Sequence, residues 1–151
     1  MDDFSIKPGS PNIYGLIGGK VNSIEPEKRM LSSMSPTIIE KDGELSMILG
    51  SPGGPTIITS VLQTILNVYL FNDNISDAVN HPRFYHLWLP DKIYLEKGAF
   101  NDNIKDSLIN SGYHFNPKYS SIGRVDAIYL NKNKIIYAAP DPRGDDYSSG
   151  E

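Results

Sequence analysis

The run Gly50-Ser51-Pro52-Gly53-Gly54-Pro55-Thr56 is followed at once by residues 57–71, where apolar side chains recur at helical spacing. This reads as a strand that stops at a glycine turn and opens into a helix whose first amides are unpaired. Gly53 and Gly54 let a substrate atom approach the backbone and make positive φ cheap. Pro55 suits the helix's first turn, where a missing N–H is no loss. Free amides at a helix N-terminus, backed by the helix dipole, can receive an anion or stabilise a developing oxyanion. The same pattern also serves as plain connection between strand and helix, and by itself leaves both readings open.

Two other readings of the glycines fail on residue type. A phosphate-binding P-loop needs Lys and then Ser or Thr after its last glycine, where this chain has Pro55 and Thr56. A dinucleotide fingerprint needs a third glycine and an acid about 20 positions on. The third glycine is absent, and Asp73 and Asp77 fall near a second predicted helix instead of a strand end. His81, His86 and His114 lack the spacing of a metal site or a triad, and His81 before Pro82 reads as a helix cap or local packing. Arg83 and Arg143 read as structural ion pairs, Phe84, Tyr85 and Trp88 as core or subunit interface, and Asp145, Asp146 and Glu151 as a polar tail.

The elements that must hold the glycine turn follow from periodicity. Residues 37–40 and 45–50 flank Asp42-Gly43, a strong hairpin signal. The helix over 55–71 carries Ile57, Ile58, Val61, Leu62, Ile65, Leu66 and Tyr69, expected on one side and packed against a sheet. A short helix over 76–80 stops before Pro82. Residues 92–96 alternate as a strand, 102–111 read as a helix ended by Gly112, and 113–118 as a weaker strand. A second hairpin is expected from 127–131 and 134–138 through Lys132-Asn133. Strands and helices interleaved with hairpins predict an α+β layered sandwich over a doubly wound parallel sheet. Residues 1–31 hold Pro8, Pro11 and Pro26 with Gly9, Gly15, Gly18 and Gly19, too much punctuation for regular structure, and read as a long loop.

The chain has 151 residues, enough for a single domain with a core. Fourteen basic side chains against 18 acidic ones give a formal charge of −4 with no basic run, which argues against nucleic acid as a partner. Cysteine is absent, so disulfides and thiolate metal sites are excluded. Thr59, Ser60, Gln63, Thr64 and Asn67 break the longest apolar stretch, so no membrane span is expected. Met1-Asp2-Asp3 is acidic where a secretory signal needs positive charge, so a signal, if there is one, is expected outside these residues.

Three segments, taken in order and spacing, carry a family likeness: Met1-Asp2-Asp3-Phe4, Leu31-Ser32-Ser33-Met34-Ser35-Pro36-Thr37, and Gly50-Ser51-Pro52-Gly53-Gly54. They resemble the small, catalytic subunit of the γ-glutamyltranspeptidases, members of the N-terminal-nucleophile hydrolases. The likeness continues through Pro8-Gly9 to Tyr14-Gly15, Asn80-His81-Pro82-Arg83-Phe84, Trp88-Leu89-Pro90, Glu96-Lys97-Gly98 and Asp141-Pro142-Arg143, and covers essentially the whole chain. It implies an αββα sandwich of which residues 1–151 form the C-terminal portion, with upstream strands missing. Asp3 would then accept from a substrate α-ammonium, and Ser32 and Ser33 would donate to its α-carboxylate. Gly53 and Gly54 would give amides to the oxyanion, and residues 8–19 would form a lid with Tyr14 as wall. The physics agrees, since a free amino-acid end needs an anionic acceptor beside hydroxyl donors, and charge-assisted hydrogen bonds are the strong ones. These groups are expected to converge on a cavity shaped for a glutamyl head.

The family's nucleophile is a threonine made N-terminal by self-cleavage, its hydroxyl activated by its own α-amine. Thr37, Thr56, Thr59 and Thr64 are not N-terminal, so this polypeptide alone is expected to be inactive. Its implied partners are the N-terminal part of the small subunit, the large subunit with its carboxylate-binding Arg, and glutathione or another γ-glutamyl compound as substrate. No cofactor and no metal are implied. Open sheet edges and an uncovered apolar face would favour self-association or partial disorder in residues 1 to about 30. Pro55-Thr56 departs from the Ser-Arg of many relatives and removes one amide near the oxyanion, so the hole would rest on Gly53 and Gly54. Family likeness implies a periplasmic or extracellular setting. The alternative reading is a non-catalytic module that binds a γ-glutamyl group or amino acid.

Overall fold

The computed structural model describes residues 3–150, and the chain divides into two compact units, Met1–Met34 and Ser35–Glu151. The first unit has one short 3₁₀ turn, Lys20–Asn22, and isolated bridges Ser5 to Ser23 and Pro11 to Ile17. None of its described residues is buried, so hydrogen bonds and not a core give it shape. Asn22 is the tie: its Nδ2 donates to the Asp3 carbonyl at 2.5 Å and its Oδ1 accepts from the Leu31 N–H at 3.0 Å. Asn12 does the same locally, its Oδ1 accepting from the Tyr14 and Leu16 N–H groups, an Asx turn around Gly15 at φ 76°.

The second unit is built on a hairpin. Strands β1 (Thr37–Lys41) and β2 (Glu44–Gly50) are joined by Asp42 and Gly43, both at positive φ (56° and 80°), as the primed two-residue turn requires. Helices α1 (Thr56–Tyr69) and α2 (Ile75–Asn80) follow, then a hairpin of β3 (Phe84–Leu87) and β4 (Lys92–Leu95). Helix α3 (Asp102–Asn110) precedes the second long hairpin, β5 (Asp126–Leu130) with β6 (Ile136–Ala139). One four-stranded antiparallel sheet results, in the order β1-β2-β5-β6. Asn74 and Asn101 cap α2 and α3, each side chain accepting from the N–H three residues on.

The core sits between one face of this sheet and helices α1 and α2. Met47 and Leu49 of β2 and Ala127 and Ala139 of the second hairpin meet Ile57, Val61 and Val68 of α1 and Ala78 and Val79 of α2. The other sheet face carries Ile38, Ile48 and Ile128 in direct cross-strand register, all three exposed.

Two expectations are corrected. Helix α1 does not bury all its apolar positions on one side: Ile57, Ser60, Val61, Thr64 and Val68 are buried, whereas Ile58, Leu62 and Leu66 are exposed. The inward stripe includes two small hydroxyl residues because the helix lies close to the sheet and to residues 122–125. Residues 113–118 form no strand. Phe115 makes only an isolated bridge to Ile93, and Pro117 brings no N–H while Asn116 Oδ1 turns back to accept from Lys118 N–H. Of the aromatic residues expected in the core or a subunit interface, Tyr85 is buried, Phe84 stands at the edge of exposure and Trp88 is 83% exposed. Among the described residues, no helix is long and apolar enough to cross a membrane.

Candidate functional site

In the first unit the Asn22 tie draws the two ends of the loop together, and Asp3, Ser32 and Ser33 come to line one cleft. Ser33 Oγ donates to Asp3 Oδ1 at 2.7 Å, across 30 residues of sequence. Ser32 Oγ accepts from the Met34 N–H at 3.3 Å, which orients its hydroxyl beside the pair. The cleft is open, about 480 Å³, and Lys28 and Arg29 also line it. A carboxylate beside two hydroxyls and two cationic side chains is chemically fit for a zwitterionic end group. Lys28 and Arg29 carried no signal of their own in the sequence, and the Lys28 ammonium is shared with Glu25 at 2.7 Å. Tyr14 lies in the exposed turn held by Asn12 and is not among the residues that line this cleft.

In the second unit the glycine turn follows β2 directly. Gly53 adopts φ 129° and Gly54 φ 57°, conformations that side chains resist. A Cβ on Gly53 would fall 2.5 Å from Thr56 Oγ1. The turn's carbonyls are engaged: Gly53 O accepts from the Thr56 N–H at 3.2 Å and from Thr56 Oγ1 at 2.9 Å, and Gly54 O accepts from Ile57 N–H at 3.2 Å. The Gly53 and Gly54 N–H groups donate to no acceptor among the described residues. Pro55 stands at the N-cap of α1, one position earlier than expected. The arrangement can supply two neighbouring amides to a negative oxygen, reinforced by a 14-residue helix behind them.

The largest polar assembly was only half foreseen. Arg83 and Arg143 do form ion pairs, with Asp141 and Glu96, and the group is buried: Arg83 is 2% and Asp141 1% exposed. Arg83 Nη2 meets Asp141 Oδ2 at 2.8 Å, and Arg143 Nη1 meets Asp141 Oδ1 at 3.0 Å. Arg143 Nε donates to Glu96 Oε1 at 2.7 Å, and its Nη2 to Oε2. Burial opposes ionisation of Glu96, yet hydrogen bonds from Arg143 and from the amides of Arg83 and Ile122 outweigh it and hold the carboxyl below the usual carboxylate range. Asp141 behaves alike: burial is overcome by bonds from the Arg143 and Val125 amides and from the Arg83 guanidinium. Burial pushes Arg83 down, whereas for Arg143 the two carboxylates outweigh burial and push it up.

His81 caps α2, its N–H donating to Asp77 O, while its ring meets Asp73 at 3.1 Å. His86 pairs with Asp91 at 2.8 Å. Asp146 is drawn from the tail to Arg124 at 3.0 Å, and Glu151 lies outside the described residues, as do Met1 and Asp2. Among the described residues, no three acidic, His or Cys side chains gather as metal ligands would.

The chain is thus of mixed α and β structure, with an acid and hydroxyl cleft in its first unit and, in its second, a strand-glycine-helix turn whose two amides meet no acceptor among the described residues. The family model for gamma-glutamyltranspeptidase matches residues 1–151, and the chain belongs to that family. It is 46% identical over 151 residues to the glutathione hydrolase proenzyme of Escherichia coli, covering 99% of this chain and 26% of that protein. The glutathione hydrolase proenzyme of Pseudomonas aeruginosa is 42% identical over 146 residues, covering 95% of this chain and 26% of its own length. Among solved structures, a mutant of the gamma-glutamyltranspeptidase of Helicobacter pylori superposes with a TM-score of 0.87 at 50% identity, over 95% of this chain and 78% of the other. The chain thus spans about a quarter of the length of the curated relatives it matches.

Proposed function

We propose that these residues are the C-terminal portion of the small subunit of an enzyme that transfers or hydrolyses γ-glutamyl groups, with glutathione or a related compound as donor. Asp3 takes the donor's α-ammonium, and Ser32 and Ser33 its α-carboxylate. Gly53 and Gly54 give their amides to the oxygen that becomes negative as the γ-carbonyl is attacked. The attacking hydroxyl belongs to an N-terminal threonine outside these 151 residues, whose α-amine takes the proton. The amine product leaves, and water or an acceptor amine resolves the ester. Tyr14 and residues 8–19 close over the donor. The partners are the rest of the small subunit and the large subunit, and by family likeness the enzyme works in the periplasm or outside the cell.

The observation that carries the reading is the Asp3–Ser33 hydrogen bond within a cleft also lined by Ser32, because it joins two motifs 30 residues apart into one charged and hydroxylic set. The exposed Ile38–Ile48–Ile128 row supports the finer fold assignment: an apolar sheet face opposite the helices suits the inner side of an αββα sandwich whose second sheet comes from upstream residues. The same uncovered face supports self-association when the 151 residues stand alone.

The test compares this polypeptide by itself with the assembled protein, using a γ-glutamyl anilide whose chromophore is released on acyl transfer. The assembled protein is expected to release it and the isolated polypeptide not to. Release by the isolated polypeptide would overturn the need for the external threonine, and no release by the assembled protein would overturn the activity itself.

A further inference from the structure

A Gly-Gly turn is soft, and its own bonds, at 3.2 Å for both the Thr56 and Ile57 amides, are long. Beyond the Thr56 Oγ1 bond to the Gly53 carbonyl at 2.9 Å, its stiffness comes from what touches it. Residues 122–125 run past the turn with both ends fastened to the buried ion group. At one end the Ile122 N–H donates to Glu96 Oε1 at 2.7 Å and the Ile122 carbonyl accepts from Arg83 Nη1 at 3.0 Å. At the other the Val125 N–H donates to Asp141 Oδ2 at 2.6 Å. Ile122 and Val125 are buried, so none of these bonds can be exchanged cheaply for water.

The middle of the segment presses on the turn. Arg124 N–H donates to Ser51 Oγ at 2.9 Å, and the same hydroxyl donates to the Pro52 carbonyl at 2.7 Å, one residue before Gly53. Gly123, at φ 65°, leaves no room for a side chain: a Cβ there would fall 2.3 Å from Ser60 Oγ, 2.8 Å from Ser60 Cβ and 3.0 Å from Ser51 Oγ. A Cβ on Gly53 would lie 3.4 Å from Gly123 Cα. Ser60 is fully buried on α1, the helix the turn opens, so residues 122–125 bear on the turn and its helix together.

From this geometry we infer that Ser51 and Gly123 are positioning residues, linking the buried Arg83–Glu96–Asp141–Arg143 group to the Gly53–Gly54 turn and fixing the direction of its two free amides. The inference deepens the proposed function and rests on its reading of Gly53 and Gly54 as oxyanion donors. Ser51 needs no contact with substrate for this, because it acts on the main chain just before the first donor. The link explains why charged side chains as far along the chain as Asp141 bear on a turn near residue 53.

The test uses the assembled protein with Ser51→Ala and, separately, Gly123→Ala, assayed with the γ-glutamyl anilide and by hydrogen exchange of the peptide spanning 51–57. Ser51→Ala is expected to lower kcat about tenfold, as small misplacements of catalytic donors do, with KM for the donor within about twofold and the unfolding midpoint nearly unchanged. Exchange at the Thr56 and Ile57 amides should speed up while that of α3 does not. Gly123→Ala should lower kcat and speed exchange more strongly, and, because its Cβ meets buried Ser60 at positive φ, should also lower the unfolding midpoint. Unchanged kcat and unchanged exchange in both variants would overturn the link, as would a loss in Ser51→Ala explained wholly by KM or by a lowered unfolding midpoint. Should the unsubstituted protein show no turnover, the functional reading fails by itself. The exchange comparison then decides whether the mechanical link stands or falls.

Discussion

Asp141 and Asp3 are both carboxylates in hydrogen-bonded sets, yet they sit in opposite circumstances. Asp141 is buried and both oxygens are spent: Oδ2 on Arg83 and the Val125 amide, Oδ1 on the Arg143 guanidinium and amide. Among the described residues, the Asp3 side chain accepts from Ser33 alone, and it faces an open cleft. A saturated buried carboxylate organises backbone, as Asp141 does for the segment beside the glycine turn. A carboxylate with acceptor capacity left over, beside hydroxyls that can also donate, is available to a ligand. The contrast separates an acid committed to the fold from one whose remaining acceptor capacity faces an open cleft.

The contrast is broken most forcefully by removing a partner from the saturated set. Arg83→Met leaves Asp141 facing Arg143 alone and strands buried acceptors, and should destabilise the protein by about 3–5 kcal/mol in chemical unfolding. Gly53→Ala attacks the turn that this set supports. With φ at 129° and Thr56 Oγ1 in the way, it should lower kcat of the assembled protein about a hundred- to a thousand-fold, the usual cost of one lost oxyanion donor.

Acid sharpens the comparison by degrees. Glu96 and Asp141 have folded values below their unfolded ones of about 4.3 and 3.9. Their contribution is therefore complete above those values and is lost as pH falls through the lower folded values. The unfolding midpoint should stay level on this account from pH 7 to about 5 and drop as pH goes below about 4, with a shallower drop in Arg83→Met. Ser33→Ala gives the smallest change: the loss of one exposed hydroxyl should leave stability within about 0.5 kcal/mol and cost up to about tenfold in kcat/KM, as one ordinary hydrogen bond would.

How much of this was legible in the sequence depended on range. Local signals read well: Asp42-Gly43 placed the first hairpin, and the 3.6-residue apolar repeat after Gly54 placed α1 to within two residues at its C-terminus. Strand β3 was missed because Phe84-Tyr85-His86-Leu87 is short and does not alternate, and its pairing with Lys92–Leu95 is a tertiary fact. Residues 113–118 looked like a strand by β-propensity, but Asn116 and Pro117 won locally. The arginines at 83 and 143 stood out as ion-pair residues, whereas their partners did not, since 58 residues separate Arg83 from Asp141 and no period connects them. Asp3, Ser32 and Ser33 carried no signal individually, and only their conjunction with the other motifs picked them out. Ser51 and Gly123 show their connection only once residues 122–125 are folded against the turn.

The most direct measurement gives the assembled protein two anilide donors, one γ-glutamyl and one glutaryl, which differ only in the α-ammonium that Asp3 is assigned to hold. The unsubstituted protein should prefer the γ-glutamyl donor in kcat/KM by at least about tenfold, as expected for a charge-assisted hydrogen bond, and Asp3→Asn should erase most of that preference while the unfolding midpoint stays put. An Asp3→Asn protein that kept the full preference would contradict the account.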